Sequence, residues 1–283
     1  MKRLSYWLPI RSIAFLLVFV ACSGLSSKSL SEIGCWWSVT RGLFWQKEYL
    51  CRIKHPNMTE LEAIQVRHSV RKYLDKPIEA EKIEAIQECL ALCNREGGLH
   101  FQLVTDEPKA FRNGVDWPKY GKFEGVSNYI AVAAPKGNSG SEVAGYYGER
   151  VVLLLQTLGL NSCWVGGTFK KVKEAYSVRQ GEELKAVISL GYGTTQGTQH
   201  SQKKSFADVA QALDPVPEWF RKGVDAALLA PTAVNQQKFR FILHDDNRVE
   251  AVARFSLIGY SHLDLGIAKY HFEVGAGNNF TWK

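Results

Sequence analysis

Apolar positions along this chain alternate between two spacings. Ile83, Ile86, Leu90 and Cys93 recur every three or four residues, which predicts a helix from about Ala80 to Arg95, ended by Gly97-Gly98. His100 to Asp106 then reads as a strand, and the apolar run Tyr129 to Ala134 as a second, central one. Ser141 to Leu158 returns to helix. Its Val151-Val152-Leu153-Leu154-Leu155 stretch is apolar on nearly every side, so this helix should be the buried one. Asn161–Val165 and Lys185–Leu190 read as strands. A helix opening at Pro217 carries Phe220, Val224, Leu228 and Leu229 and closes at Ala230-Pro231. Phe239–Leu243 is a strand ending in the acidic turn Asp245-Asp246, and a last helix, about His262 to Val274, presents Leu265, Ile267, Ala268 and Phe272.

One order of elements occurs twice. Helix 80–95, a turn, strand 100–105 and Asp106-Glu107 are echoed by the helix from Pro217, a turn, strand 239–243 and Asp245-Asp246. The echo suggests pseudo-duplicated halves, about 58–205 and 206–283. Ahead of both stands Thr59-Glu60-Leu61-Glu62, a capping box that starts a short helix through Val66.

Residues 1–57 are different in kind. Met1-Lys2-Arg3 precedes the apolar run Ile13–Ala21 and then Cys22, which reads like an export signal or lipid anchor but is too short to span a membrane. Against that, the second of only two methionines, Met58, stands directly before the first clean helix start. An extension from a mis-assigned start fits the pattern better, and with it a cytoplasmic protein; membrane contact is expected only if residues 1–22 are a working signal or anchor.

Charge follows the same division. The chain is +7 overall, but residues 1–57 hold eight Lys/Arg against two Asp/Glu, leaving the remainder at only +1. The folded part therefore gives no case for nucleic-acid binding. Cys89, Cys93 and Cys163 fall in that part without CxxC spacing, so neither a disulfide framework nor a metal site is expected. Cys89 and Cys93 read as core residues, which suits a reducing compartment.

Two stretches concentrate chemistry. Arg67-His68-Ser69-Val70-Arg71 puts two fixed cations and a hydroxyl just after the first helix. Far downstream, Ala230-Pro231-Thr232-Ala233-Val234-Asn235-Gln236-Gln237 puts a hydroxyl and three amides on one turn. Together they match a flavin mononucleotide, with its dianionic phosphate, hydroxylated ribityl chain and donor–acceptor ring edge. Taken alone, the first stretch could be a solvated helix end whose cations suit the dipole. Gly166-Gly167 could let backbone approach a flat ring or could be a plain turn after a strand. Trp117, Tyr120 and Phe123 sit in a Gly- and Pro-punctuated stretch that could face substrate or pack at the surface. Gly191-Tyr192-Gly193-Thr194-Thr195-Gln196-Gly197 imitates a dinucleotide loop, but its spacing is wrong and no helix follows, so that fold is rejected.

At these residues a resemblance appears. Arg67-His68-Ser69-x-Arg71 with Tyr73-x-Asp75-Lys76-Pro77-Ile78 resembles the opening of the FMN-dependent nitroreductase family. Ala230-Pro231-Thr232-x-x-Asn235-x-Gln237-x-Phe239-x-Phe241 resembles its second signature, and Leu158 through Gly167 a third. The resemblance implies an α+β fold, a mainly antiparallel central sheet flanked by helices. It implies FMN held by Arg67, His68, Ser69, Arg71, Gly166, Gly167, Lys203, Pro231, Thr232, Asn235 and Gln237, with Lys203 and Arg67 toward the phosphate. Arg71 is the candidate for stabilising reduced FMN. NADH or NADPH would donate electrons and a nitroaromatic or quinone-like acceptor would take them; no catalytic acid or base is evident. In ordinary nitroreductases the amide-rich turn follows the first helix pair directly, whereas here it comes about 140 residues later. A subfamily with relocated halves has this layout, which implies a monomer imitating a dimer, or a homodimer. The competing classes are a non-catalytic flavin store and a lipid-anchored protein whose domain has lost its cofactor.

Overall fold

The computed structural model describes residues 58–111, 122–199 and 203–283, which all belong to one compact unit. The expectations for residues 1–57 and for Trp117 and Tyr120 lie outside the described residues. No helix among the described residues is long and apolar enough to cross a membrane.

Helix α1, Glu60–Val66, starts at the expected capping box: Thr59 Oγ accepts from the Glu62 N–H at 3.2 Å while the Glu62 carboxylate accepts from the Thr59 N–H at 2.6 Å. Helix α2 spans Ala80–Gly97 and ends at Gly98 in the left-handed conformation (φ 60). The rest follows as β1 His100–Val104, β2 Asn128–Pro135, α3 Gly137–Thr157, β3 Asn161–Val165 and β4 Glu182–Gly191. The second half holds α4 Phe206–Val209, β5 Ala210–Gln211, α5 Glu218–Ala227, β6 Phe239–Leu243, β7 Arg248–Ala253, α6 Ser261–Ala276 and β8 Thr281–Trp282.

The antiparallel α+β expectation holds, with a refinement: the described residues form two four-stranded sheets. The first runs β1-β2-β4-β3 and is antiparallel throughout. The second runs β5-β6-β7-β8, antiparallel only between β6 and β7. Strand β7 is an element the pattern analysis leaves unassigned. Its alternation was present in Val249 and Ala251 against Arg248 and Glu250, but it is short and only Val249 is fully buried.

Strand β2 shows why an uninterrupted apolar run is central. Ile130, Val132 and Ala134 face one core cluster, with α2, α3 and α6, while Tyr129 and Ala131 face another, with Phe111, Val165 and Val187. Cys89 and Cys93 pack in the first of these, as their spacing suggests.

The segment after α1 is fixed to the first sheet. The Val70 N–H donates to the Ser162 carbonyl at 3.0 Å and the Tyr73 N–H to Glu124 at 2.9 Å. On its far side the Leu74 N–H donates to Tyr192 at 2.7 Å and the Thr194 N–H to Lys72 at 3.0 Å. The glycine-rich run is thus a brace for residues 67–74, not a nucleotide loop.

Helices α3 and α6 meet backbone to backbone. A Cβ on Gly266 would lie 1.9 Å from the Glu142 carbonyl oxygen, and one on Gly145 would lie 2.0 Å from that of Leu263. Neither neighbour can yield, since both are main chain. Gly266→Ala is therefore expected to cost about 3 kcal/mol or more by forcing the helices apart. Thermal melting checks this, and a change under 1 kcal/mol, roughly the scale of an ordinary surface substitution, would contradict it.

Candidate functional site

A cavity of about 830 Å3 opens where three chain segments and α6 converge. Arg67, His68, Ser69 and Arg71 form one wall, the end of β3 with Gly166 and Gly167 a second, and Pro231, Thr232 and Asn235 a third. The chain's two chemical stretches, about 160 residues apart in sequence, thus share one chamber within one chain.

Arg67 is the C-cap of α1, turning out of the helix at ψ 132 while its N–H still donates to the Ala63 carbonyl at 2.9 Å. Ala63 and Ile64 bury the helix against Leu153 and Tyr270, so the turn at Arg67 has a fixed origin. The side chain is only 7% exposed, and its Nε has no hydrogen-bond partner among the described residues. That disposes of the solvated-helix-end reading, because a buried guanidinium with an unmet donor is costly unless something anionic or polar meets it. Beside it, burial and then the Arg67 charge hold His68 below the usual imidazole range. His68 therefore adds no full positive charge at neutral pH.

Gly166 and Gly167 play different parts. A Cβ on Gly166 would lie 2.6 Å from the Tyr260 ring, so glycine lets that ring close over the cavity edge. A Cβ on Gly167 would meet nothing within 4 Å, which leaves this backbone bare toward the cavity.

The third wall is a strained turn. Val234, Asn235 and Gln237 all have positive φ (46, 53 and 47). For a β-branched residue such as Val234 this costs on the order of 1–3 kcal/mol. The Gln237 N–H donates to Thr232 Oγ1 at 3.0 Å, and the Asn235 N–H to the Thr232 carbonyl at 2.9 Å. From α6, Asp264 accepts the Ala233 N–H at 3.0 Å on one oxygen and Gln236 Nε2 at 2.7 Å on the other.

Two expected ligand residues stand elsewhere. Gln237 does not line the cavity; it is 1% exposed and its Nε2 donates to the Leu228 carbonyl at 2.9 Å, tying the turn to the end of α5. The left-handed backbone at 237 turns its side chain inward. Lys203 is exposed and also outside the lining, with Nζ donating to the Val234 carbonyl at 3.3 Å. It braces the turn from outside.

The structure adds residues that sequence reasoning missed. Trp164, on β3, lines the cavity while its Nε1 donates to Glu149 Oε2 at 2.8 Å. Glu149 is fully buried on α3, and its other oxygen lies 2.9 Å from His271 Nε2 on α6. His271 Nδ1, 3.0 Å from the Ala226 carbonyl, must carry a hydrogen, since a carbonyl only accepts. One hydrogen-bonded chain thus runs from α5 to the cavity wall. Asp264 and Tyr260 were missed too. The available signal for Asp264 was its place between Leu263 and Leu265 in an apolar helix, where an acid is out of character.

These positions were compared with known proteins. A family model described as "Putative TM nitroreductase" matches residues 60–276. The chain belongs to this nitroreductase family. A solved structure described as a "putative nitroreductase" from Thermotoga maritima MSB8 is 21% identical, with a TM-score of 0.55, covering 78% of this chain and 85% of that one. At this identity the likeness speaks for the fold. An FMN-dependent nitroreductase from Clostridium difficile R20291 is also 21% identical, with a TM-score of 0.42 over 54% of this chain and 98% of its own. A nitroreductase with bound FMN from Bacteroides fragilis NCTC 9343 is 23% identical, with a TM-score of 0.41 over 56% of this chain and 100% of its own. No curated protein matches.

In this nitroreductase-family chain Asp264 has the most perturbed carboxyl of the cavity. Burial pushes its pKa from 3.8 up to about 7, against the two donated hydrogen bonds, which pull it down. Folded protein then holds this proton where unfolded chain has lost it. The group's stabilising contribution is complete below its unfolded pKa and is lost as pH rises through about 7. Chemical denaturation should show wild type losing roughly 3 kcal/mol relative to Asp264→Asn between about pH 5 and pH 8. Parallel pH profiles for the two proteins would contradict it.

Proposed function

We propose that the cavity binds FMN and that the chain is an FMN-dependent oxidoreductase taking electrons from NADH or NADPH. Its acceptor class on this reading is nitroaromatic or quinone-like. The observation that carries the reading is the meeting of Arg67 and Asn235 in one cavity, with a buried Arg67 donor awaiting a partner. The cavity volume of about 830 Å3 suits a cofactor with room beside it for a second small molecule.

When bound, FMN supplies the hydride chemistry; the protein supplies position, charge and exclusion of water. Arg67 would hold the phosphate with a charge-assisted fork, with Ser69 donating beside it. Arg71 would offset negative charge on the reduced ring, and Thr232 and Asn235 would bond the pyrimidine edge. The bare backbone at Gly167 would lie against the ring face. Leu263, Ile267 and Val165 give the cavity an apolar lining that excludes water near the ring. Because both halves of the site come from one chain, a monomer imitating a dimer is the favoured assembly.

Arg67→Ala should weaken FMN binding by about 10- to 100-fold, the worth of a charge-assisted hydrogen bond, without lowering the melting temperature of the FMN-free protein. Fluorescence titration with FMN measures the first and calorimetry the second. Unchanged affinity would remove the central assignment. Addition of NADH or NADPH to the FMN-loaded protein should bleach the flavin absorption; a spectrum that stays yellow under anaerobic conditions favours a non-catalytic flavin carrier instead.

A further inference from the structure

We propose that Asp264 is a positioning residue of this site: its carboxyl group clamps the strained Thr232–Gln237 turn and thereby sets where Thr232 and Asn235 stand in the cavity. The proposal rests on the FMN reading above. The turn carries three non-glycine residues in the left-handed region, a conformation that relaxes unless its surroundings impose it. Asp264 imposes it from both sides. One oxygen takes the N–H of Ala233, just before strained Val234, and the other takes the amide of Gln236, just after Asn235. Gln236 is held in turn by the Gly259 carbonyl at 3.1 Å and by the Ser256 hydroxyl.

The clamp is anchored where the molecule yields least. Asp264 is 2% exposed and stands two residues before Gly266, the point at which α6 touches α3 main chain to main chain. It also leaves the Thr232 hydroxyl with a proton to offer. The Gln237 N–H occupies a lone pair of Thr232 Oγ1, so the Thr232 hydroxyl keeps its proton for a ligand acceptor. The other ionisable groups on the cavity wall are Arg67, His68, Arg71 and Tyr260. An asparagine would fill this place without the burden of a buried acid. It could accept from only one of the two donors, however, and its own NH2 would confront the other. A costly acid retained at a site wall is the pattern of stability yielded for function.

The test uses full-length Asp264→Asn, Asn235→Ala and the double variant, with Gln236→Ala as a milder release of the clamp should Asp264→Asn fail to fold. In FMN-free protein, hydrogen–deuterium exchange should speed up at least tenfold in the 231–238 peptide of Asp264→Asn or Gln236→Ala and stay unchanged in α3. FMN titration should show at least a tenfold loss for Asp264→Asn, and the double variant should lose clearly less than the sum of the two single losses, because the Asn235 contact can be lost only once. Unchanged exchange in the turn, or losses that add in the double variant, would overturn the clamp. Wild-type protein that takes up no FMN would instead sink the cofactor reading, and the exchange result then decides the clamp by itself.

Discussion

Two glycines bring the backbones of α3 and α6 into contact, and the site is built outward from that crossing. Gly145 and Gly266 have no side chain to hold the helices apart. One turn further along α3, a Cβ on Gly148 would fall 2.3 Å from the Trp164 ring, so the missing side chain also admits that indole. Glu149 is the next residue and reaches both Trp164 and His271. On α6, Leu263, Asp264 and Ile267 flank the crossing and face the cavity. Ridge-and-groove packing at ordinary interaxial distance would move all of these back by the width of a side chain.

The buried polar side chains around this crossing are satisfied to different degrees. Glu149 and His271 meet each other and two further partners, which is how polar groups inside a core are tolerated. Asp264 has two donors, but its burial outweighs them and raises its pKa to about 7, well above the usual carboxyl range. Arg67 has an unmet donor on a cavity wall. The first arrangement ties α5 and α6 to α3, the second bonds a turn to α6, and the third leaves the Arg67 Nε without a partner among the described residues.

Membership in the nitroreductase family accords with this arrangement, and the order of segments gives the chain its own character. The cationic segment hangs from the edge of the first sheet through Ser162, whereas the amide turn joins α5 to the second sheet. Packing of the two halves through a shared core brings the segments together without a second chain. The distance between them along the sequence is then of no consequence, because the core, not the loop length, sets their separation in space.

The sequence by itself determined the elements and the type of chemistry. Periodicity placed α2, α3, β2 and α6 within a few residues, because burial of one face or of all faces leaves a local trace in residue spacing. The Arg67-His68-Ser69-x-Arg71 run and the Thr232–Asn235 turn were legible because their residue types are expensive to place without a partner. Only the tertiary structure decided which of them point inward. Gln237 belongs to the same turn yet buries its amide against the end of α5, and Lys203 reaches the turn from its exposed side, contacts that no spacing rule encodes. Asp264 and Trp164 were likewise decided by packing. Their roles depend on partners 15 to 31 residues away, Glu149 for Trp164 and Ala233 and Gln236 for Asp264, and a linear pattern records a residue's own preferences but not its neighbours in space.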